Sequence, residues 1–166
     1  VVSALGSPGS VVLAGGQSLV MALNLRSAAP SLVVDIRRVP GLDGLTVADG
    51  LLVVGSRTTA SALLAHPATS TIGAVHRAVG AGGHPQTRNR TTIGGAVALA
   101  EPVAEVPTTL VTLGGTVTLA GPEGSRSVDA ADWITGPYAT ARHRDELLTA
   151  VAFRLPPPAR LLFTLG

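Results

Sequence analysis

The chain has 166 residues, 46% hydrophobic, 13% charged and 2% aromatic, with a formal net charge of +2. That length admits one modest domain or two small lobes, and so apolar a composition excludes a disordered polypeptide. The twelve basic residues are all arginine and lie scattered along the chain, which makes no nucleic-acid footprint, and the scarcity of aromatic rings excludes a base-stacking surface.

Without Cys there is no disulfide, no thiolate nucleophile and no Cys-held zinc or iron–sulfur cluster within this sequence. No basic segment precedes an apolar run as a secretory signal requires. The uncharged stretch 58–76 carries Thr, Ser, His66 and Pro67 and makes a poor membrane span, so the expectation is a cytoplasmic protein without one. The sequence does not open on Met and closes on the apolar run Leu161–Gly166, and it reads as a segment shortened at both ends.

Val11-Val12-Leu13 predicts a short strand that ends at Ala14-Gly15-Gly16-Gln17-Ser18, and Leu19, Val20 and Leu23 then share one helical face up to a stop at Pro30. Leu32–Ile36 reads as a second strand, buried on both sides because its apolar run hardly alternates. Leu45–Val47 and Leu51–Val54 form a hairpin across Ala48-Asp49-Gly50, with Gly50 at positive φ. Thr59 caps a helix through Leu64, and Ile72, Val75, His76 and Val79 give helical spacing up to Gly80. Residues 82–90 contain no apolar side chain and read as a long polar loop, the kind of segment in which sites concentrate. A helix is predicted from about Pro102 through Leu113, followed by strands at Thr116–Leu119, Arg126–Val128 and Leu147–Leu155, and a stiff break at Pro156-Pro157-Pro158.

Most nucleotide and catalytic motifs fail on spelling. There is no lysine for a P-loop, Gly80–Pro85 misses the last position of the dinucleotide fingerprint, and Gly16–Val20 lacks the second glycine of a nucleophile elbow. His66, His76 and His143 lack metal-ligand spacing, so no metal is expected. Glu101 and Glu105 stand four apart on a predicted helix, which suits acid–base work or simple dipole pairing equally. What remains is Gly15-Gly16 and Gly94-Gly95, about eighty positions apart. Bare glycine backbones let successive amides converge on a dense anion such as a pyrophosphate, with Ser18 and Thr92 adding hydroxyl donors; either pair alone also reads as a plain turn.

Leu13-Ala14-Gly15-Gly16-Gln17-Ser18-Leu19-Val20 resembles the first flavin loop of the FAD-binding medium subunit of molybdenum hydroxylases, the xanthine dehydrogenase and aerobic carbon monoxide dehydrogenase family. His84–Arg90 followed by Thr92-Ile93-Gly94-Gly95 resembles the second loop, and Pro102–Pro107 and Gly136-Pro137-Tyr138 fit the same pattern in order. The resemblance implies an α+β fold of the two-lobed FAD-binding type, vanillyl-alcohol-oxidase/PCMH-like, with a small lobe over 1–55 and a larger one over 56–166. FAD is expected between the lobes, held by Leu13, Ala14, Gly15, Gly16, Gln17, Ser18 and Leu19 from the first loop. Thr92, Ile93, Gly94, Gly95 and Ala96 hold it from the second, with Arg88 and Asn89 at the isoalloxazine edge, Glu105 on a ribose hydroxyl and Tyr138 near the flavin. Close approach of the backbone to the phosphates makes Gly16→Asp and Gly94→Asp abolish FAD binding while leaving the fold intact.

The implied function is electron transfer: electrons pass from iron–sulfur clusters on one partner subunit, after oxidation of substrate on a molybdopterin subunit, through FAD to an external acceptor, with no catalytic side chain in this chain. The alternative is a truncated non-flavin remnant, or a subunit-interaction module without redox activity.

Overall fold

The computed structural model describes residues 1–70 and 72–155, and its first elements build a small parallel unit. Helix α1 (Val2–Leu5) buries Leu5 and leads into β1 (Ser10–Leu13); α2 (Leu19–Asn24) then returns the chain to β2 (Leu32–Asp35), which pairs in parallel with β1, Leu13 opposite Asp35. The expectation that this second strand is buried on both sides fails. Only Val34 of β2 is buried, because a sheet of two strands has one covered face, and Leu32 and Val33 remain 38% and 39% exposed. Helix α2 also ends well before Pro30 and buries none of its residues fully.

The predicted hairpin forms as β3 (Leu45–Ala48) and β4 (Leu51–Gly55), Ala48 opposite Leu51, with both Asp49 and Gly50 at positive φ. Two such residues give the turn the twist that antiparallel strands need. Six helices follow: α3 (Ala60–Ala65), α4 (Pro67–Ser70), α5 (Gly73–Ala81), α6 (Pro85–Arg88), α7 (Ile93–Leu99) and α8 (Glu105–Thr112). Thr59 caps α3 as predicted, its hydroxyl accepting from the Ala62 amide at 3.1 Å. The polar stretch 82–90 contains one helical turn, α6, where a continuous loop is predicted. Helix α8 starts at Glu105 rather than Pro102, so Glu101 lies outside it and the two acids do not share a helix face.

The last third is antiparallel as expected: β5 (Thr116–Gly121) and β6 (Gly124–Asp129) form a hairpin, α9 (Ala130–Trp133) and the short pair β7 (Ile134–Gly136) and β8 (Ala139–Thr140) follow, and β9 (Leu147–Arg154) runs between β4 and β5. The resulting sheet has the order β3-β4-β9-β5-β6. Because β4 is hydrogen-bonded to β9, Leu51 through Gly55 belong to this larger sheet, although the expected boundary at 55 assigns them to the smaller lobe. The triple proline and the closing apolar run lie outside the described residues.

Two apolar cores form on either side of β9: neighbouring residues of a strand face opposite ways, and an irregularity at Thr149, where the pairing passes from Thr118–Ala150 to Leu119–Leu148, puts Leu148 on the same face as Val151 and Phe153. Leu148, Val151 and Phe153 join Leu52, Val54, Val117, Leu119 and Trp133 in the large core under the helices, while Leu147 joins Leu5, Val34, Ile36 and Leu42 in the small one. The fully buried Trp133 donates its indole N–H to the carbonyl of Val97 at 3.0 Å, satisfying one of the orphan acceptors in the last turn of α7. The segment before β9 is held by Arg126, whose fork meets the buried Glu146 carboxylate at 2.5 and 2.8 Å, and the His143 amide donates to the same group at 2.7 Å.

The Arg126 hydrogen bonds hold the Glu146 carboxyl down to about 2, from an ordinary 4.5. A group depressed on folding stabilises the fold at pH above the unfolded value and loses that contribution as pH falls through the folded one. Denaturant titrations at pH 7, 4 and 2.5 should therefore show acid destabilisation in the native chain that is visibly shallower in Glu146→Gln, which also starts less stable at pH 7.

Candidate functional site

The two glycine loops fold against each other. A Cβ on Gly15 would overlap the carbonyl oxygen of Arg90, lie 2.8 Å from its carbonyl carbon and come within 3.3 Å of Thr91 Cα, so the backbone after β1 touches the backbone before α7. Beside this contact opens a cleft of about 490 Å³. Ala14 and Gly15 line it from the first loop, Asn89, Arg90 and Thr92 from the second. The rest of its wall comes from segments that carry no recognisable motif: Arg37, Asp43 and Gly44 from the β2–β3 connection, Leu45 at the start of β3, and Arg57, Thr58, Thr59, Ala62 and His66 from the turn after β4 to the end of α3.

In the first loop, the amides of Gly15, Gly16, Gln17 and Ser18 reach no acceptor among the described residues. Gly16 takes φ +79°, a region that other L-residues rarely adopt, and this turns the chain between β1 and α2. Ser18 stands at the N-cap of α2 without a side-chain cap bond, which leaves its hydroxyl uncommitted. Gln17 and Ser18 are exposed, whereas Leu13, Ala14 and Leu19 are half-buried beneath the loop.

The second loop is different. Thr92 caps α7, accepting from the Gly95 amide at 3.2 Å, while Ile93 donates to Thr58, Gly94 to Ser56 and Ala96 to the Thr92 carbonyl, at 2.9 to 3.0 Å. Every amide from Ile93 through Ala96 is thus spent inside the protein, so the expectation that both loops offer bare amides to an anion is met by the first loop and not by the second. Thr92 itself lines the cleft and keeps its hydroxyl proton to donate. Ile93 and Val97 sit in the large core. Gly94 is the contact point that lets α7 approach β4, since a Cβ there would overlap Ser56 Cβ and lie 2.6 Å from Ser56 Cα.

The remaining predicted residues divide. Asn89 lines the cleft, and its Oδ1 accepts from the Ser61 hydroxyl at 2.7 Å, which leaves its amide hydrogens free. Arg88 turns into its own loop instead, donating to the carbonyls of Gly83 at 2.6 Å and Gly80 at 3.2 Å. It is Arg90, two residues on, that reaches the cleft. Glu105 is the exposed first residue of α8, and Tyr138 is 61% exposed at the tip of the β7–β8 turn; neither lines the cleft. Of the charged groups lining it, Arg57 is paired with Asp43 and Arg37 with Asp35, so Arg90 is the cation among them left to favour an anion. Asp43 is held below the usual carboxylate range by its hydrogen bond to Arg57. Among the described residues no cluster of His, Asp and Glu could hold a metal ion, and no helix is long and apolar enough to cross a membrane.

Because Gly94 is a packing residue, the expectation that Gly94→Asp spares the fold is corrected. Even Gly94→Ala should cost about 1–3 kcal/mol of stability through overpacking against Ser56, read as a lower urea midpoint at unchanged slope.

Comparison with known proteins now identifies the architecture. Residues 1–157 match the family described as the FAD binding domain in molybdopterin dehydrogenase. The nicotine 6-hydroxylase medium subunit of Paenarthrobacter nicotinovorans is 36% identical over 143 residues, covering 86% of this chain and 50% of that protein. The carbon monoxide dehydrogenase medium chain of Hydrogenophaga pseudoflava is 34% identical over 158 residues, covering 93% and 54%. Among solved structures, carbon monoxide dehydrogenase from Hydrogenophaga pseudoflava matches with a TM-score of 0.91 at 30% identity, over 95% of this chain and 56% of that one. Quinoline 2-oxidoreductase from Pseudomonas putida 86 matches at 0.90 and 34% identity, over 93% and 55%. The chain spans about half the length of the curated relatives it matches. With a match over nearly its whole length and the two glycine loops in contact, this chain belongs to the family of FAD-binding domains of molybdopterin dehydrogenases.

Proposed function

We propose that FAD binds along the cleft between the lobes, with its pyrophosphate on the amides of Gly15, Gly16, Gln17 and Ser18. The observation that carries this is the run of four consecutive amides without an acceptor among the described residues, beside an anion-favouring cleft. Gly15 and Gly16 are half-buried and Gln17 and Ser18 exposed, so these amides can turn to a ligand without stripping a protein acceptor of its donor, and a dense anion is the group that several convergent amides satisfy best. The Ser18 and Thr92 hydroxyls donate to the same phosphates. Leu13, Ala14 and Leu19 support the loop from below, and Asn89 offers its free amide hydrogens to the flavin edge. Ile93, Gly94, Gly95 and Ala96 serve by fixing α7, and Arg88 by shaping the loop that presents Asn89 and Arg90. To Glu105 the proposal assigns a ribose hydroxyl.

FAD, when bound, supplies a redox centre that exchanges electrons singly or in pairs, while the protein supplies position and electrostatics. In this reading the domain, of the vanillyl-alcohol-oxidase/PCMH-like type, is the flavoprotein part of a cytoplasmic molybdenum hydroxylase. An iron–sulfur subunit delivers electrons from a molybdopterin subunit, and an external acceptor takes them from the flavin. Support comes from relatives named as medium subunits or medium chains of dehydrogenases and hydroxylases.

Titration with FAD should quench flavin fluorescence saturably, and Gly16→Asp should weaken binding roughly a hundredfold by setting a carboxylate against the phosphates. Its melting temperature should fall by only a few degrees, the cost of an L-residue at positive φ. Absence of saturable quenching in the native chain would favour a non-flavin interaction module. For Glu105→Ala the expected loss of FAD binding is about 1.5–3 kcal/mol, as for a hydrogen bond to a charged acceptor; equal affinity would return Glu105 to the solvent surface.

A further inference from the structure

The β2–β3 connection, residues 36–44, forms one wall of the cleft; buried Ile36 and Leu42 seat it in the small core, and one side chain from the turn after β4, Arg57, ties its Arg37 end across to the larger sheet. Arg57, in the turn after β4, donates through Nη1 to the carbonyl of Arg37 and through Nη2 to Asp43 Oδ2 at 2.8 Å, while its own amide donates to Leu42 at 2.6 Å. Arg37 in turn forks onto Asp35, with Nε–Oδ1 at 2.9 Å and Nη2–Oδ2 at 2.6 Å. Asp35 is the last residue of β2 and pairs with Leu13, immediately before the loop of free amides. A continuous set of bonds therefore runs from the larger lobe, through Arg57 and Arg37, to the strand end beside the first glycine loop.

The backbone of the connection does not fix this wall unaided. Gly41 and Gly44 flank Asp43, both at positive φ with open space where a Cβ would stand, so the segment can bend at either side. The Gly44 end is pinned separately, by Thr58 Oγ1, which bonds both its carbonyl and its amide, and by the Gly55 amide. The Arg37 end has its cross-lobe tie through Arg57. Both terminal nitrogens of Arg57 are committed to protein oxygens and its charge is matched by Asp43, while its buried Nε has no partner among the described residues, so the two-pronged end of the guanidinium holds protein.

We propose that Arg57 is a positioning residue that sets the aperture of the cleft, and with it the affinity for FAD, by clamping the Arg37 end of the connection to the larger lobe. The proposal rests on the FAD reading of the cleft. A charge-matched clamp and a direct phosphate ligand make opposite demands on the same variants. If Arg57 acts as a clamp, Lys cannot replace it, because one ammonium does not reproduce the fork that spans Arg37 and Asp43. Removing the Asp43 charge then loosens the wall and weakens FAD; for a direct ligand, the same change frees the guanidinium and tightens FAD.

The test uses the full chain with Arg57→Met, Arg57→Lys, Asp43→Asn and the double variant Arg57→Met/Asp43→Asn. FAD affinity is read by fluorescence titration, and hydrogen exchange of residues 36–44 is read without FAD. Arg57→Met and Arg57→Lys should each weaken FAD on the order of tenfold, Asp43→Asn should weaken it in the same direction, and the double variant should be no weaker than Arg57→Met. Exchange over 36–44 should rise in the flavin-free Arg57→Met chain. Rescue by Lys, tighter binding by Asp43→Asn, or unchanged exchange would overturn the clamp. Should Arg57→Met not fold, Asp43→Asn removes one arm alone and its sign decides. A native chain that takes up no FAD overturns the cleft reading instead, and the exchange comparison then decides the clamp by itself.

Discussion

The structure depends on one close approach: the backbone of Gly15 against the carbonyl of Arg90. No side chain fits between these segments, so the distance between the loop after β1 and the loop before α7 is fixed by main-chain volume rather than by an adjustable contact. A site assembled there inherits that rigidity. Loops are ordinarily the mobile parts of a domain, and a binding constellation on loops needs a supporting shell to hold its geometry. Here the shell is another stretch of backbone.

The approach is possible because the two apolar cores share a strand. β9 sends Leu147 into the small core and Leu148, Val151 and Phe153 into the large one, so neither core can shift against the other without opening an apolar surface. The larger sheet also takes β3 and β4 by pairing β4 to β9, which brings the turn at 55–59 beside the glycine loops. Ser56 then meets Gly94, Thr58 accepts from Ile93, and the Thr91 carbonyl accepts from Ala60. The start of α7 is bonded to the start of α3, and the cleft lies along that junction.

Much of this was legible in the sequence, and the exceptions have physical causes. The hairpin at 45–55, the Thr59 cap and the strands of the last third announce themselves through local chemistry: a two-residue turn with positive φ, a hydroxyl at an N-cap, alternating apolar residues. Helix α7 does not, because Ile93-Gly94-Gly95 has poor intrinsic helicity and reads as a turn; its helix exists because Ile93 and Val97 are buried and Gly94 can touch Ser56, just past the end of β4. The burial of β2 is misjudged because an unbroken apolar run says nothing about how many strands a sheet will have. The walls at 37–45 and 57–66 carry no spelling at all, and only the position of Thr58 and Thr59 in a strand-to-helix loop hints at them. Choosing between Arg88 and Arg90 is likewise a matter of which carbonyls lie nearby, and Gly80 and Gly83 capture the first.

Two glycine pairs that look alike in the sequence do opposite things. At Gly15-Gly16 the missing side chains admit a neighbouring carbonyl and a left-handed turn, and the amides that result have no partner among the described residues. At Gly94-Gly95 they admit a strand and a capping hydroxyl, and the amides are consumed in doing so. An amide already bonded to Ser56 or Thr92 has little left to give an anion, because moving it to a ligand would strip a buried carbonyl or hydroxyl of its donor. The physical criterion for an anion cradle is therefore the unspent amide and not the glycine. By that criterion the first loop has amides to offer an anion and the second holds the first in place, which is why the expected effect of a substitution falls on the ligand at Gly16 and on the fold at Gly94.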